Sequence, residues 1–350
     1  MSENRLRVAV AGATGAVGRE MLRLLETRDW VGEVRGLASA RSAGSNVPFR
    51  GAPLTVDELT VDSFQNIDVA LFSAGGSVSK EFAPAAAAAG ALVVDNSSAF
   101  RMDDDVPLVV PEVNPDAAAA ALQANAGRGI IANPNCSTIQ MVVALAPLHA
   151  EAGLNRIIVS TYQSVSGAGQ SAMQELISHT RCRISGEAEP APDKFPHPIA
   201  FNAIPHIDVF LDNAYTREEM KMVYETRKIM GLPGLQVSAT CVRIPVMRAH
   251  SESVTAEFDR HLSADRAREL LAAAPGVVVR DAPGDNSYPM PRDAESLDDT
   301  FVGRIREDVD RPATLHFWVV SDNLRKGAAT NAVQIVDNLL AAGYCLHANA

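Results

Sequence analysis

The stretch best equipped for chemistry is Ile131-Ala132-Asn133-Pro134-Asn135-Cys136-Ser137-Thr138. A short apolar run ends there, Pro134 turns the chain, and Ile139 to Leu148 reads as helix, so Cys136 falls at or just before a first helical turn. A thiol so placed meets the positive end of the helix dipole, which stabilises thiolate and lowers its pKa from about 8.5. The same free N–H groups can receive the oxyanion that forms when a thiolate attacks an acyl carbon. The alternative is a buried structural cysteine, and the polar flanks argue against it.

A second constellation is Gly12-x-x-Gly15-x-x-Gly18, directly after the apolar run Leu6 to Ala11 and opening a helix. Glycines permit a tight turn and close backbone approach, and the helix start offers N–H groups to a pyrophosphate. The next strand, Val34 to Ala38, ends in Ser39-Ala40-Arg41-Ser42, without the acid that usually holds a ribose 2′-hydroxyl. Glu33 has roughly the right separation from Gly12 but sits at the wrong end of the strand. Arg41 with Ser39 and Ser42 suits a 2′-phosphate through charge-assisted hydrogen bonds, so the dinucleotide is read as NADP rather than NAD.

Other candidates say little singly. Glu218 and Lys221, three apart on a helix, read alone as a solvated ion pair, and a lone His250 as a surface or satisfied core histidine. Arg243, in an apolar strand-like run, needs an anionic partner if half-buried. Arg243 and His250 are seven residues apart and would face opposite sides of one straight strand. Both can line one pocket only if the chain bends, and Pro245 with Met247-Arg248-Ala249 offers the place.

These residues need a scaffold. Strand-like runs at Leu6–Ala11, Val34–Ala38, Val69–Phe72, Leu92–Val94, Leu108–Val110 and Gly129–Ala132 alternate with helical segments, the pattern of a parallel sheet covered on both faces. After Cys136 come longer strand-like runs, Ile157–Val165 and Leu235–Val246, separated in part by a proline-rich loop, Ser185 to Pro198. Ser253–Phe258, Val277–Val279 and Thr314–Val320 follow, and a final helix spans Leu324 to Leu340. The expected fold is α/β: a Rossmann-type doubly wound parallel sheet plus a second α+β domain with a mixed or antiparallel sheet. The expected boundaries are 1–133 for the NADP-binding domain, completed by a C-terminal helix at 323–345, and 134–322 for a catalytic domain.

At 350 residues the chain is long enough for two domains, or for one large domain with an insertion, and at 47% hydrophobic content it can bury a substantial core. A net charge of −11 argues against a nucleic-acid partner, which would need a basic face. No apolar stretch reaches the length of a membrane span, and Met1 to Arg7 is polar rather than a signal peptide. The four cysteines, Cys136, Cys182, Cys241 and Cys345, are scattered and form no metal motif. The expectations are a cytoplasmic enzyme, no metal, and no nucleic-acid or membrane partner.

The blocks Gly12-Ala13-Thr14-Gly15, Asp95-Asn96-Ser97-Ser98-Ala99-Phe100-Arg101, Asn133 to Thr138 and Thr161 to Gly169 resemble those of the aspartate-β-semialdehyde dehydrogenase family. Glu218-Glu219-Met220-Lys221, Arg243-Ile244-Pro245-Val246, His250 and Asp322 to Gly327 continue the match in the same order, over nearly the whole chain. The resemblance implies NADPH-dependent, reversible reduction of β-aspartyl phosphate to aspartate β-semialdehyde and phosphate, in the pathway to lysine, diaminopimelate, methionine and threonine. It implies Cys136 as nucleophile forming an acyl-thioester, His250 as acid/base and Gln163 as the group orienting the acyl carbon. It further implies Arg243 for the α-carboxylate, Glu218 for the α-ammonium, and Arg101, Lys221 and Asn135 for phosphate. Cofactor contacts are implied at Gly12, Thr14, Gly15, Ala16, Val17, Ser39, Arg41, Ser42, Ser73, Gly75, Ser166, Gly167 and Asn323, and a homodimer is implied as the assembly. Two alternatives stay open: an N-acetyl-glutamyl-phosphate reductase-like enzyme, in which Glu218 would lose its ammonium partner, and a non-catalytic NADP-binding paralogue.

Overall fold

A computed structural model describes residues 5–124 and 129–347; the polar opening segment through residue 4 lies outside them. The chain divides into two compact units, residues 1–135 with 328–350, and residues 136–327. Among the described residues no helix is long and apolar enough to cross a membrane.

The first unit holds strands β1 (Leu6–Ala11), β2 (Val31–Ala38), β3 (Asn46–Phe49), β4 (Ala52–Glu58), β5 (Val69–Phe72), β6 (Leu92–Asp95) and β7 (Gly129–Ala132). They form one sheet in the order β3-β4-β2-β1-β5-β6-β7. All pairings are parallel except the β3–β4 hairpin. β1, β5 and β6 are almost wholly buried, which is why they read as continuous apolar runs. Helices α1 (Ala16–Leu25) and α3 (Asp116–Ala124) cover one face together with α9 (Thr330–Ala341), which returns from the end of the chain. Helix α2 (Gly76–Ala88) covers the other through Ala83 and Ala86.

The second unit opens with α4 (Cys136–Ala152) and contains β8 (Leu154–Gln163), α5 (Gln170–Ser185), α6 (Arg217–Met230), β9 (Gln236–Arg243) and β10 (His250–Phe258). It continues with α7 (Ala264–Ala273), β11 (Val277–Val279), α8 (Pro291–Ala294), β12 (Thr300–Glu307) and β13 (Thr314–Ser321). Its sheet runs β11-β12-β13-β10-β8-β9 and is mixed, with β8–β9 and β11–β12 parallel and the rest antiparallel. The expected fold class holds in both units.

Several sequence expectations need correction. Leu108–Val110 is not a strand: it touches β7 through one bridge, Leu108 to Ala132, because Pro107 and Pro111 leave the ladder no continuous donors. β8 ends at Gln163 rather than Val165, and Val165–Ala168 is a 3-10 turn. The final helix begins as a π-helical turn, Arg325–Ala329, before α9. The β3–β4 hairpin carries Pro48 and Pro53, and β12 carries Gly303 and charged residues, so neither shows an apolar strand signal.

Candidate active site

Strand register gathers the second unit's candidate residues at one end of its sheet. Gln163 and Arg243 are paired final residues of the parallel strands β8 and β9. β10 runs antiparallel to β8 and starts at His250, so its first residue reaches the same end. The chain between Arg243 and His250 does bend: Val165 N–H donates to Val246 O and Ser166 N–H to Met247 O. Ala249 closes the bend at φ 69°, a left-handed conformation that costs a residue with a Cβ roughly 1–2 kcal/mol. As a result, a Cβ added to Gly167 would lie 3.2 Å from Arg243 Nη1 and 3.4 Å from His250 Nε2. The two side chains face one small space.

Cys136 is the first residue of α4, as its sequence context anticipates, and is half-buried. The helix packs on β8, β10, β12 and β13, fixing the thiol's position relative to the sheet. Gly327 comes so near that a Cβ there would lie 2.8 Å from Cys136 Cβ; glycine is needed at 327 to leave the cysteine room. Cys241, by contrast, is buried on β9, and burial pushes its thiol well above the ordinary value, which suits structure rather than attack.

Helix α6 brings the acidic partner. Thr216 and Glu219 form a capping box, and Glu219 also accepts Cys241 N–H at 3.0 Å, tying the helix start to β9. Glu218 in that first turn is 5% exposed and accepts from Gln163 Nε2 at 3.1 Å. Lys221 Nζ lies 3.0 Å from Glu218 and 2.9 Å from Asp208. This three-group cluster runs from buried Glu218 through half-buried Lys221 to Asp208 at the surface, unlike the fully solvated pair that the spacing alone suggests. Burial works against the Lys221 charge, but Glu218 and Asp208 outweigh it and hold its pKa above the usual value. Arg243, 7% exposed, donates to Ser164 O at 2.6 Å. Burial lowers its pKa while Glu218 and Cys136 oppose the shift, and a guanidinium remains charged regardless.

His250 is fully buried. Its Nδ1 accepts the Ser164 main-chain N–H at 3.0 Å, with the Ser164 hydroxyl at the same distance. Burial first, and then the Arg243 charge, push its pKa down to about 3, so the ring is neutral at physiological pH. Asn323, just beyond β13, joins this cluster: its Oδ1 accepts Ala249 N–H and the Ser164 hydroxyl at 3.0 Å, and the Ser166 hydroxyl at 3.1 Å. The roles of Ser164, Asp208 and Gly327 were not legible in the sequence, because each acts through a neighbour that only folding supplies.

The first unit forms a cradle for a dinucleotide phosphate. Gly12 has φ 88°, and a Cβ there would lie 2.3 Å from Ser73 O; one on Gly18 would lie 2.1 Å from Gly12 O. Gly15 caps α1 and Gly75 caps α2 without side-chain hydrogen bonds, leaving helix-start N–H groups for an anion. Nothing lies within 4 Å of a Cβ placed on Gly75 or Gly76. The two helices follow β1 and β5, where strand order reverses and ligands bind in such sheets. Arg41 is exposed in the turn after β2, whereas Glu33 lies within β2, 3.9 Å from Arg35. These residues fit NADP. Arg41→Ala should weaken NADPH binding by about 1.5–3 kcal/mol, the scale of a hydrogen bond to a charged group, and leave NADH affinity almost unchanged in a fluorescence titration. Equal losses for both cofactors would assign Arg41 to the fold instead. Arg101 and Asn135, also in this unit, are 7% and 6% exposed, and Arg101 Nη2 donates to Asn96 O at 2.9 Å.

Residues 7–121 match the family described as "Semialdehyde dehydrogenase, NAD binding domain", and residues 145–326 match "Semialdehyde dehydrogenase, dimerisation domain". An aspartate-semialdehyde dehydrogenase of Aquifex aeolicus is 56% identical over 339 residues, covering 96% of this chain and 98% of that one. The chain belongs to the aspartate-semialdehyde dehydrogenase family. The structure of aspartate semialdehyde dehydrogenase II from Vibrio cholerae, complexed with ASA, has a TM-score of 0.92 at 46% identity and covers 97% of this chain and 99% of that one. The Candida albicans enzyme, solved with NADP, has a TM-score of 0.74 at 25% identity, covering 96% and 99%. Membership makes the chain an oxidoreductase, an NADP-dependent dehydrogenase whose first unit carries the cofactor-binding domain.

Proposed function

We propose that the chain reduces β-aspartyl phosphate to aspartate β-semialdehyde in amino-acid biosynthesis, reversibly and with release of phosphate, through a thioester on Cys136. The observation that carries this reading is the meeting of Gln163, Arg243, His250 and Glu218 at one end of the second unit's sheet, the sheet on which the Cys136 helix packs. The Cys136 thiolate attacks the acyl carbon and forms the C–S bond as the C–O bond to phosphate breaks. The Arg243 fork matches an α-carboxylate, and its buried position makes an anionic partner favourable. Glu218 is the carboxylate available to an α-ammonium. Lys221, Arg101 and Asn135 are donors of the kind a phosphate needs. Gln163 and His250 act on the acyl oxygen.

NADPH, when bound, supplies the hydride. Gly12, Thr14, Gly15, Ala16, Val17, Ser73 and Gly75 serve its phosphates and Ser39, Arg41 and Ser42 its 2′-phosphate, with Ser166, Gly167 and Asn323 as further contacts. The same proposal places the enzyme in the cytoplasm as a homodimer formed through its second unit, a reading supported by the dimerisation-domain match. Sedimentation at the mass of one chain would remove that last part.

The deciding assay is phosphate-dependent NADP reduction with aspartate semialdehyde against N-acetyl-glutamate semialdehyde. The expected preference is at least about 10²-fold for the first, because the Glu218 carboxylate favours an ammonium and gains nothing from the neutral N-acetyl group of the second. Comparable rates with both substrates would sink the assignment.

A further inference from the structure

Glu252 is a buried titratable group that the reaction leaves unused. It follows His250 by two residues on β10 and so shares the inward face of the sheet, one row deeper. It is fully buried, and among the described residues neither carboxyl oxygen has a hydrogen-bond partner. Its cross-strand neighbours are Thr161 on β8 and Val319 on β13, and beyond Thr161 stands the buried Cys241 thiol of β9. No cation among the described residues faces it. An unpaired carboxylate in such a place is costly, and burial pushes the Glu252 pKa well above the ordinary value, against a smaller pull from Gln140. The side chain is therefore a neutral carboxylic acid, with one hydroxyl donor beside one carbonyl acceptor.

Gln140 offers the complementary edge. It follows Cys136 by four residues, one turn along the same face of α4, and is fully buried. Its Nε2 points toward the His250 main-chain oxygen, a long contact of 3.5 Å, and its Oε1 has no partner. One amide hydrogen serves His250 O. The other hydrogen and Oε1 match the two atoms of a carboxylic acid: Glu252 O–H donates to Gln140 Oε1, and Gln140 N–H donates to the Glu252 carbonyl oxygen. Such a cyclic pair gives partners to Gln140 Oε1 and to both Glu252 oxygens at once, which is what buried polar atoms require. An ionised Glu252 would have no hydrogen to give and would set two acceptors against each other.

We propose that Glu252 and Gln140 form this cyclic acid–amide pair and act as positioning residues, fastening the second turn of the Cys136 helix to the start of β10 and so setting Cys136 against His250. The inference rests on the reading of Cys136 as nucleophile with His250 as its partner. Helix α4 packs on β10, but apolar packing is non-directional and leaves the helix free to slide by fractions of an ångström. A pair with two reciprocal hydrogen bonds fixes that degree of freedom. Because the acid is neutral, it does so without placing a negative charge where it would oppose formation of the Cys136 thiolate.

Infrared difference spectroscopy of the wild type against Glu252→Gln reads the carboxyl directly. At neutral pH the wild type is expected to show the C=O stretch of a carboxylic acid that the variant lacks. Glu252→Gln can rebuild the pair as amide with amide, so it should keep most of the wild-type kcat. Glu252→Leu cannot, and should lower kcat about tenfold to 10²-fold with the KM for aspartate semialdehyde close to wild type. Stability gives a further readout. An unfolded glutamate ionises above about pH 4.3 while folded Glu252 keeps its proton, so the wild type should lose stability relative to Glu252→Gln as pH rises from there toward the raised folded value. Thermal melts of the two proteins should diverge in that direction. A carboxylate in the wild-type spectrum, a glutamine variant that loses most of its kcat, full kcat in Glu252→Leu, or a melting gap that does not change with pH would overturn the proposal. If Glu252→Leu does not fold, the spectrum, the melts and the glutamine variant still decide. Full turnover in Cys136→Ser would instead remove the underlying reading of Cys136.

Discussion

Cys136→Ser should still bind NADPH yet lose turnover by about 10⁴-fold or more, the scale of removing an enzymic nucleophile. The substitution keeps the shape of the side chain, so the close approach of Gly327 is undisturbed. What changes is the ease of ionisation. A serine hydroxyl at 136 needs a strong base to become a nucleophile, whereas a helix-start thiol ionises far more readily. Mass spectrometry of the wild type with substrate should place an acyl adduct on Cys136. An adduct on Cys182, Cys241 or Cys345 would make Cys136 a bystander; for Cys241 it would also contradict a thiol that burial holds protonated.

His250→Asn and Arg243→Leu should fail in different ways. Removing a group that transfers protons in the transition state costs about 10²–10⁴-fold in kcat, so His250→Asn should lower kcat with KM little changed. An arginine fork holds a carboxylate in both the ground and the transition state, so Arg243→Leu should chiefly raise KM. Because His250 titrates near 3, the wild-type kcat profile should show no limb from this residue near neutrality. The sign for stability follows: the unfolded histidine takes up a proton near about pH 6.5 while the folded one does not. The contribution of His250 to stability is therefore present above that pH and lost as pH falls toward 3, and His250→Asn should unfold less readily over that interval. Near-normal kcat in His250→Asn, or an unchanged KM in Arg243→Leu, would separate Cys136 from its proposed partners.

The local chemistry was legible in the chain alone. Gly12 and Gly18 announce close backbone contacts because no other residue fits where a Cβ would lie within 2.3 Å of a carbonyl. Cys136 at a helix start follows from Pro134 and the apolar periodicity after it. The continuous apolar runs of β1, β5 and β6 follow from burial on both faces of a parallel sheet. Each of these signals lies in residue types within a short segment, even where the contact it anticipates, as between Gly12 and Ser73, joins distant parts of the chain.

Strand register and bends were decided elsewhere. Leu108–Val110 has a strand's composition, but its flanking prolines reduce it to one bridge beside β7. Glu218 and Lys221 have the spacing of a solvated pair, yet Asp208 and the capping box of α6 place them in a partly buried cluster beside Gln163. The seven residues from Arg243 to His250 would separate the two side chains on a straight strand. They converge because the chain turns between β9 and β10, a turn that closes at Ala249, whose left-handed backbone is held by Asn323 from beyond β13. Sequence by itself determined the family, the helix-start position of Cys136 and the glycine turn after β1, since those depend on residue type within short segments. Tertiary structure alone decided the surroundings of His250, because those depend on hydrogen bonds between residues separated by 74 to 159 positions.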